Sequence, residues 1–139
     1  MTSAFVDSGY LIALEAADDQ HHAAAVRHWR GFLRTSPRLV TTSFVLDEVV
    51  TFFTSRGRHS KAVEIGGRLL ASPSVRLVHV DEELFRSAFA YLERRPDKRF
   101  SLTDCVSFVL MSQLGIQEAL AFDAHFEQAG FTRLPSVRV

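Results

Sequence analysis

The sequence has a single cysteine, Cys105, and no apolar run long enough to cross a bilayer. One cysteine excludes an internal disulfide and fits a reducing compartment. A membrane-spanning helix needs about 20 consecutive apolar residues, so no membrane contact is expected. The amino terminus lacks a basic segment, and Asp7 interrupts its short apolar run, which argues against a signal peptide. These absences together predict a cytoplasmic protein.

The sequence also lacks net charge, because 16 Lys and Arg residues balance 16 Asp and Glu residues. Overall neutrality argues at first against a nucleic-acid partner, but the distribution of charge matters more than its total. No G-x-x-x-x-G-K segment is present, which excludes a P-loop nucleotide site. What remains is an ordinary globular composition, 47% hydrophobic, and a length of 139 residues that predicts one domain over residues 1–139.

Short β-prone segments alternate with helical segments along the whole chain. Strands are expected at residues 2–6, 39–42, 75–80, 118–122 and 131–134, with helices between them. Because strand–helix alternation implies parallel crossovers, the chain is predicted to have an α/β fold with three layers. Its central sheet would be mainly parallel and contain four to five strands.

Several helices have a predicted start or a predicted inner face. Ser43 is expected to cap the helix that runs to about Ser55, and Asp81 the helix that runs to about Arg94. The second helix, at about residues 20–35, is predicted to turn one face towards the core, with Ala24, Val26, Trp29, Phe32 and Leu33 on it. The inner face of the helix after Asp81 is predicted to carry Leu84, Phe85, Ala88, Phe89 and Leu92.

The segment from Phe100 to Phe126 is predicted to be the centre of the fold. Ser101 and Asp104 have the spacing of a capping box at a helix start, and Gly115 can end that helix in the left-handed conformation. The apolar residues between them point nearly all round the helix axis, so the helix should be buried on most sides. Cys105 is accordingly interpreted as a small core residue.

Four acidic residues are expected at one edge of the sheet. Asp7 and Asp123 follow strands, Asp104 opens the central helix, and Glu48 lies on the border of the apolar arc of its helix, whereas Asp47 points further away. Ligands bind outside the carboxyl ends of the strands in open parallel sheets. Carboxylates gathered there would repel one another unless they held a hard divalent cation such as Mg²⁺ or Mn²⁺. Taken singly, each has a plainer interpretation: a helix cap for the three aspartates and a solvated helix residue for Glu48.

The ordered set of these segments resembles a PIN-domain ribonuclease, and more narrowly the VapC-type toxin of a toxin–antitoxin pair. The resemblance spans almost the whole chain and rests on four segments, which read F-V-D-S-G-Y-L-I-A-L at Phe5–Leu14, T-S-F-V-L-D-E-V-V-T-F-F at Thr42–Phe53, L-T-D-C-V-S-F-V-L-M at Leu102–Met111 and L-A-F-D-A-H-F-E-Q-A-G-F at Leu120–Phe131.

The resemblance implies a fold, a reaction and a set of site residues. Asp7, Glu48, Asp104 and Asp123 would be the catalytic acids, with Asp7, Asp104 and Asp123 holding Mg²⁺ or Mn²⁺ and the hydroxyls of Ser8 and Thr103 supporting the carboxylates or water. The reaction implied is hydrolysis of phosphodiester bonds in single-stranded RNA, which leaves a 5′-phosphate and a 3′-hydroxyl. A cognate antitoxin and a homodimer are implied as partners. We expect the antitoxin to bind in the groove between the first two helices and the helix at residues 43–55.

Basic residues before the central helix offer a second feature of such an enzyme. Arg94, Arg95 and Arg99, together with Lys98, would neutralise RNA phosphates beside the acids, or would form a solvated loop cluster. His125 follows Asp123 by two residues and could reach RNA or a phosphate, but it is interpreted first as a surface histidine.

Two rival kinds of function are disfavoured: a nuclease-inactive module, and a different Mg²⁺ site on a similar sheet, as in certain phosphatases and phosphate-receiver domains. A nuclease-inactive PIN-like module that binds RNA or acts as a scaffold has no need of all four acids. A phosphatase of the haloacid-dehalogenase type would need a second Asp two residues after Asp7, where Gly9 stands. A phosphate-receiver domain would need paired acids near the amino terminus, which the sequence lacks.

Overall fold

The computed structural model describes residues 2–136, which form five strands and seven helices. The strands are β1 (Ser3–Val6), β2 (Arg38–Thr42), β3 (Val75–Val78), β4 (Glu118–Leu120) and β5 (Thr132–Leu134). The helices are α1 (Ser8–Glu15), α2 (His22–Leu33), α3 (Ser43–Thr54), α4 (His59–Ala71), α5 (Glu82–Glu93), α6 (Leu102–Leu114) and α7 (His125–Gln128). Within residues 2–136, no helix has the length and apolar character that a bilayer span requires.

The five strands form one sheet in the order β3-β2-β1-β4-β5, and every neighbouring pair is parallel. This confirms the predicted α/β architecture, with five strands and a wholly parallel sheet. The chain first extends the sheet from β1 towards β3 and then returns to add β4 and β5 on the other side. Strand order therefore reverses between β1 and β4, and the carboxyl ends of the strands at such a point are where open α/β sheets bind their ligands.

The two faces of the sheet pack against different helices because successive side chains of a strand point to opposite sides. Ala4, Val6 and Leu120 pack with Tyr10 of α1 and Phe32 of α2. On the opposite face, the core joins residues of the sheet to α6 and α7, and it includes Phe5, Ala119, Phe108 and Phe126. Helices therefore cover both faces, as a three-layer fold requires.

Helix α6 is buried on most sides, as the sequence predicts. Seven of its residues are buried: Asp104, Cys105, Val106, Ser107, Phe108, Leu110 and Met111. Gly115 ends the helix with φ 68°, in the left-handed conformation expected of it. An element enclosed in this way places its first turn, and so Asp104, at a fixed position relative to the sheet.

The predicted cap of α3 was wrong by one residue. Thr42, the last residue of β2, accepts a hydrogen bond from the N–H of Val45 at 3.1 Å, and Ser43 is already helical. The hydroxyl of Ser43 instead accepts the N–H of Val80 at 2.9 Å, in the segment that follows β3. Asp81 does cap α5, accepting from the N–H of Leu84 at 2.8 Å.

Some predicted inner-face positions are exposed. Leu33 is 49% exposed and Ala24 also lies outside the core, because α2 buries Ala25 and Phe32 instead. On α5, Leu84 and Ala88 are buried, whereas Phe85 and Phe89 are 40% and 49% exposed. Each exposed phenylalanine follows a buried residue directly, so it is turned about 100° away from the core.

Candidate active site

Asp7 lies at the point where strand order reverses, directly after β1. Its backbone N–H donates to the carbonyl of Leu120 at 2.9 Å, which ties the end of β1 to the end of β4. Asp7 occupies the position before α1, but its side chain makes no capping hydrogen bond to that helix. Helix capping therefore does not account for this buried carboxylate, which is 6% exposed.

The surroundings of Asp7 disfavour its charged form. Burial, first, and the charges of Asp104, Glu48 and Asp123 raise the pKa of Asp7, a backbone hydrogen bond from Ser8 lowers it, and the net pKa is about 7. All three of the other predicted acids therefore lie close enough to act on Asp7. The fold thus brings together four carboxylates that are separated by as much as 116 residues of sequence.

Asp104 is held in place by the first turn of α6. Its Oδ2 accepts the N–H of Ser101 at 3.0 Å, and its own N–H donates to Oγ of Ser101 at 3.0 Å, which forms the predicted capping box. The same Oδ2 lies 2.9 Å from Nδ1 of His125. The cap therefore orients a buried carboxylate whose surroundings include the other acids.

Asp123 and His125 lie beyond the end of β4. Oδ1 of Asp123 accepts the N–H of His125 at 2.9 Å and lies 3.3 Å from Nδ1 of the same residue. The imidazole therefore stands between the carboxylates of Asp104 and Asp123, and its side chain is only 26% exposed. Asp123 orders the start of α7 through this contact but is not the cap residue, which is Ala124.

The interpretation of His125 as a surface histidine was wrong. Its ring packs edge-on against Phe100, with 5.4 Å between centroids, in addition to its contacts with the two carboxylates. The sequence carried a signal for this placement, since His125 follows Asp123 by two residues at the functional edge of the sheet. What the sequence did not show was that the loop between β4 and α7, residues 121–124, would bring the ring against the first turn of α6.

Glu48 faces the site from α3, as its position on the helix predicts. Oε1 of Glu48 accepts a hydrogen bond from Oγ of Ser8 at 2.8 Å, while its neighbour Asp47 is exposed. Ser8 follows Asp7 directly, so one hydroxyl links the first and second acids. Thr103, the other predicted supporting residue, is half-buried beside Asp104, and its carbonyl accepts from Ser107 at 3.0 Å.

The donor set of this cluster fits a divalent cation. Asp104, Asp123 and His125 present ligand atoms within 4.8 Å of one another. Asp7 is not in that tight group, but its charge couples to both aspartates. Carboxylate oxygens are the ligands that Mg²⁺ and Mn²⁺ prefer, and a cation among them would relieve the repulsion that raises the pKa of Asp7.

The predicted basic residues lie in the loop between α5 and α6. The guanidinium of Arg95 stacks 4.1 Å above the ring centroid of Tyr91. Burial and the charge of Asp104 raise the pKa of the Cys105 thiol, and Arg95 lowers it, so Arg95 lies near the start of α6. Among the described residues no carboxylate pairs with Arg94, Arg95 or Arg99. Their charges are therefore available to an outside anion.

Comparison with known proteins identifies relatives over nearly the whole length. The profile of the PIN domain matches residues 4–132. The chain is 36% identical over 130 residues to the 23S rRNA-specific endonuclease VapC20 of two Mycobacterium tuberculosis strains, covering 94% of this chain and 96% of the relative. It is also similar to the crystal structure of Mycobacterium tuberculosis VapC20, described as a Sarcin-Ricin loop cleaving toxin. The TM-score is 0.83 at 35% identity, and the match covers 93% of this chain and 96% of that one.

Proposed function

Because the chain belongs to the PIN-domain family, we propose that it is a metal-dependent endoribonuclease that hydrolyses phosphodiester bonds in single-stranded RNA. The observation that carries this proposal is the convergence of Asp7, Glu48, Asp104 and Asp123 at the reversal point of the sheet. A nuclease-inactive RNA-binding or scaffold module would gain nothing from a carboxylate cluster that its own surroundings disfavour.

The proposed mechanism assigns a role to each acid. Asp7, Asp104 and Asp123 would hold Mg²⁺ or Mn²⁺, which when bound polarises a phosphate oxygen and lowers the pKa of a coordinated water. Glu48 orients the attacking water, and its own orientation is set by the hydroxyl of Ser8. The capping box holds Asp104 so that it does not reorganise during the reaction. The expected products carry a 5′-phosphate and a 3′-hydroxyl.

The substrate class follows from the relatives and from the basic loop. VapC20 is described as a 23S rRNA-specific endonuclease and as a Sarcin-Ricin loop cleaving toxin, and we extend this target to the present chain. Arg94, Arg95 and Arg99 would neutralise phosphates on either side of the cleaved bond. The match over 94% of the chain supports the extension.

The decisive experiment compares two neighbouring acids of α3. Purified protein is incubated with a labelled RNA loop in Mg²⁺, in Mn²⁺ and in EDTA, and products are resolved by gel. Glu48→Gln should lower the cleavage rate by at least 100-fold, the scale of a lost general base, whereas Asp47→Asn on the exposed side should leave it unchanged. RNA binding without cleavage, equal in metal and in EDTA, would favour the inactive module instead.

A toxin role in the cytoplasm, restrained by an antitoxin, is the biological part of the proposal. A cleft of about 180 Å³ lies between α1 and α4, with Leu11, Leu14, Ile65 and Leu69 among its apolar lining residues. We place an apolar segment of the antitoxin in this cleft, rather than in the groove between the first two helices and α3. Expression of the chain alone should arrest growth and Asp7→Ala should relieve the arrest; equal growth in both cases would count against a toxin.

A homodimer completes the proposal, and its support is an exposed aromatic face. Phe85 and Phe89 of α5 are 40% and 49% exposed, and the ring of Phe85 packs edge-on against Phe44 at 6.1 Å. Apolar rings of this size on a surface helix are typical of an interface.

A further inference from the structure

A ladder of aromatic rings ends beside the acidic cluster. The imidazole of His21 lies parallel to the ring of Phe122, with 4.3 Å between centroids and an interplanar angle of 3°. Phe122 in turn stacks on Tyr10, with 5.7 Å between centroids and an angle of 14°. The hydroxyl of Tyr10, whose side chain is fully buried, is 2.7 Å from Nδ1 of His28. The inner end of the ladder is therefore anchored in the core, and each further ring packs on the one before it.

The outer end of this ladder is at the functional edge of the sheet. Phe122 directly precedes Asp123, so the ring and the carboxylate emerge from the same turn after β4. His21 lies in the loop before α2, where its N–H donates to Oδ1 of Asp19 at 2.8 Å. Both His21 and Phe122 are half-buried. In the described part of the chain, Phe122 is the one aromatic ring on which His21 stacks.

We propose that the ring of His21 is a stacking platform for an unpaired base of the RNA substrate, an inference that rests on the proposed ribonuclease function. Bases of single-stranded RNA are commonly held by stacking on aromatic side chains, histidine among them. A residue that merely covered Phe122 would not need a planar ring, nor a ring parallel to it within 3°. Because His21 already packs on Phe122 and Phe122 on Tyr10, a base placed on His21 would meet a ring that is held in position beforehand, which lowers the entropy cost of binding.

The position of the platform also sets the path of the RNA. Phe122 packs with the core between the sheet and α1 and α2, whereas Phe126 packs with the core on the opposite face. The arginine-bearing loop before α6 is on the side of Phe126. A strand that stacks one base on His21 and places its phosphates by Arg95 must therefore cross the acidic cluster. The two contacts would hold the cleaved phosphodiester between them.

The test combines changes in the protein with changes in the RNA. Cleavage rates and binding are measured for the wild-type protein, His21→Ala, His21→Phe and the exposed loop control Gln20→Ala. Each is tested on RNA loops in which one nucleotide at a time, near the cleaved bond, lacks its base. Binding is followed separately through the fluorescence of 2-aminopurine placed at each of these positions in turn.

One RNA position should depend on His21. Removing the base there should reduce the wild-type kcat/KM about 10-fold, within the range found for a base stacked on an aromatic side chain, and should have no further effect on His21→Ala. His21→Phe should retain the wild-type response because it keeps a planar face. Fluorescence at that position should be quenched by the wild type and by Gln20→Ala but not by His21→Ala.

Three results would overturn the platform. In the first, His21→Ala responds to every missing base as the wild type does. In the second, His21→Phe is as defective as His21→Ala. In the third, the wild type quenches 2-aminopurine fluorescence at no position. In these cases metal-dependent cleavage by the wild type would leave the ribonuclease proposal intact. If the wild type quenched the fluorescence but cleaved no RNA, the ribonuclease proposal would be refuted, whereas the proposed base-binding site at His21 would stand.

Discussion

Asp7 carries a carboxylate whose charged form the folded protein disfavours. Its pKa is raised from 3.8 to about 7, first by burial and then by the neighbouring acids. Between these two pH values the folded state holds a proton that the unfolded chain has lost. The free energy of unfolding of the metal-free protein therefore falls as the pH rises from about 4 to about 7, and the loss is complete above that.

Asp7→Asn should remove this loss of stability. The variant and the wild type should unfold alike near pH 4, and the variant should become more stable with rising pH, by up to about 4 kcal/mol at pH 8. Urea unfolding in EDTA at pH 4, 5, 6, 7 and 8 measures the difference. Asp18→Asn, an exposed acid in the loop after α1, serves as the control and should follow the wild-type curve. If stability changed with pH in the same way in the wild type and in Asp7→Asn, the pKa of Asp7 would not be raised in the folded protein.

Metal affinity should depend on pH through the same group. A cation competes with the proton on Asp7, so the apparent affinity for Mn²⁺ should rise about tenfold per pH unit below pH 7 and level off above it. Calorimetric titration from pH 5.5 to pH 8.5 tests this expectation. Asp7→Asn should bind Mn²⁺ more weakly and with a flatter profile. An affinity independent of pH in the wild type would remove Asp7 from the metal site.

At the scale of single elements, α6 connects helix stability to the site. The capping box at its amino end joins Ser101 to Asp104 by two hydrogen bonds, so one motif both stabilises the helix and aims a carboxylate. The capping box and the left-handed Gly115 were both predicted from the sequence, because they depend on residues within one turn of each other. The cap of α3 was not, since Ser43 bonds instead to Val80, 37 residues away.

Ser101→Ala should lower both stability and metal affinity. The loss of the cap should cost about 1 kcal/mol, and Asp104, freed from its partner, should bind Mn²⁺ several-fold more weakly. Asp81→Ala is the matched control, because it removes the cap of α5 next to β3, two strands away from β1 in the sheet. That variant should lose similar stability and keep its metal affinity. Equal losses of affinity in both variants would assign the effect to general destabilisation.

At the scale of the whole molecule, the exposed face of α5 carries the prediction of a homodimer. Replacing Phe85 and Phe89 together by Arg should shift the protein from dimer to monomer in light scattering, because the apolar area that favours association is replaced by charge. The two side chains are 40% and 49% exposed, so the variant should still fold, which its thermal unfolding curve would show. A wild-type monomer at high concentration would contradict the prediction.

What the sequence determined by itself was local or periodic. Strand–helix alternation predicted the parallel three-layer fold. The positions of Asp7, Asp104 and Asp123 at element ends, and of Glu48 beside the apolar arc of its helix, predicted the acidic cluster. Boundaries were less well predicted: β4 ends at Leu120, two residues before the expected position. Strand ends depend on hydrogen bonds to neighbouring strands, and local pattern carries no information about those partners.

Only the tertiary structure decided how distant side chains meet. In the folded protein the imidazole of His125 lies between Asp104 and Asp123, and the ring of His21 stacks on Phe122. Phe85 and Phe89 lie outside the core. Each of these outcomes depends on the direction in which a loop returns or on which helix covers a face. Such choices minimise the free energy of the whole packed chain, so no segment of the sequence contains them alone.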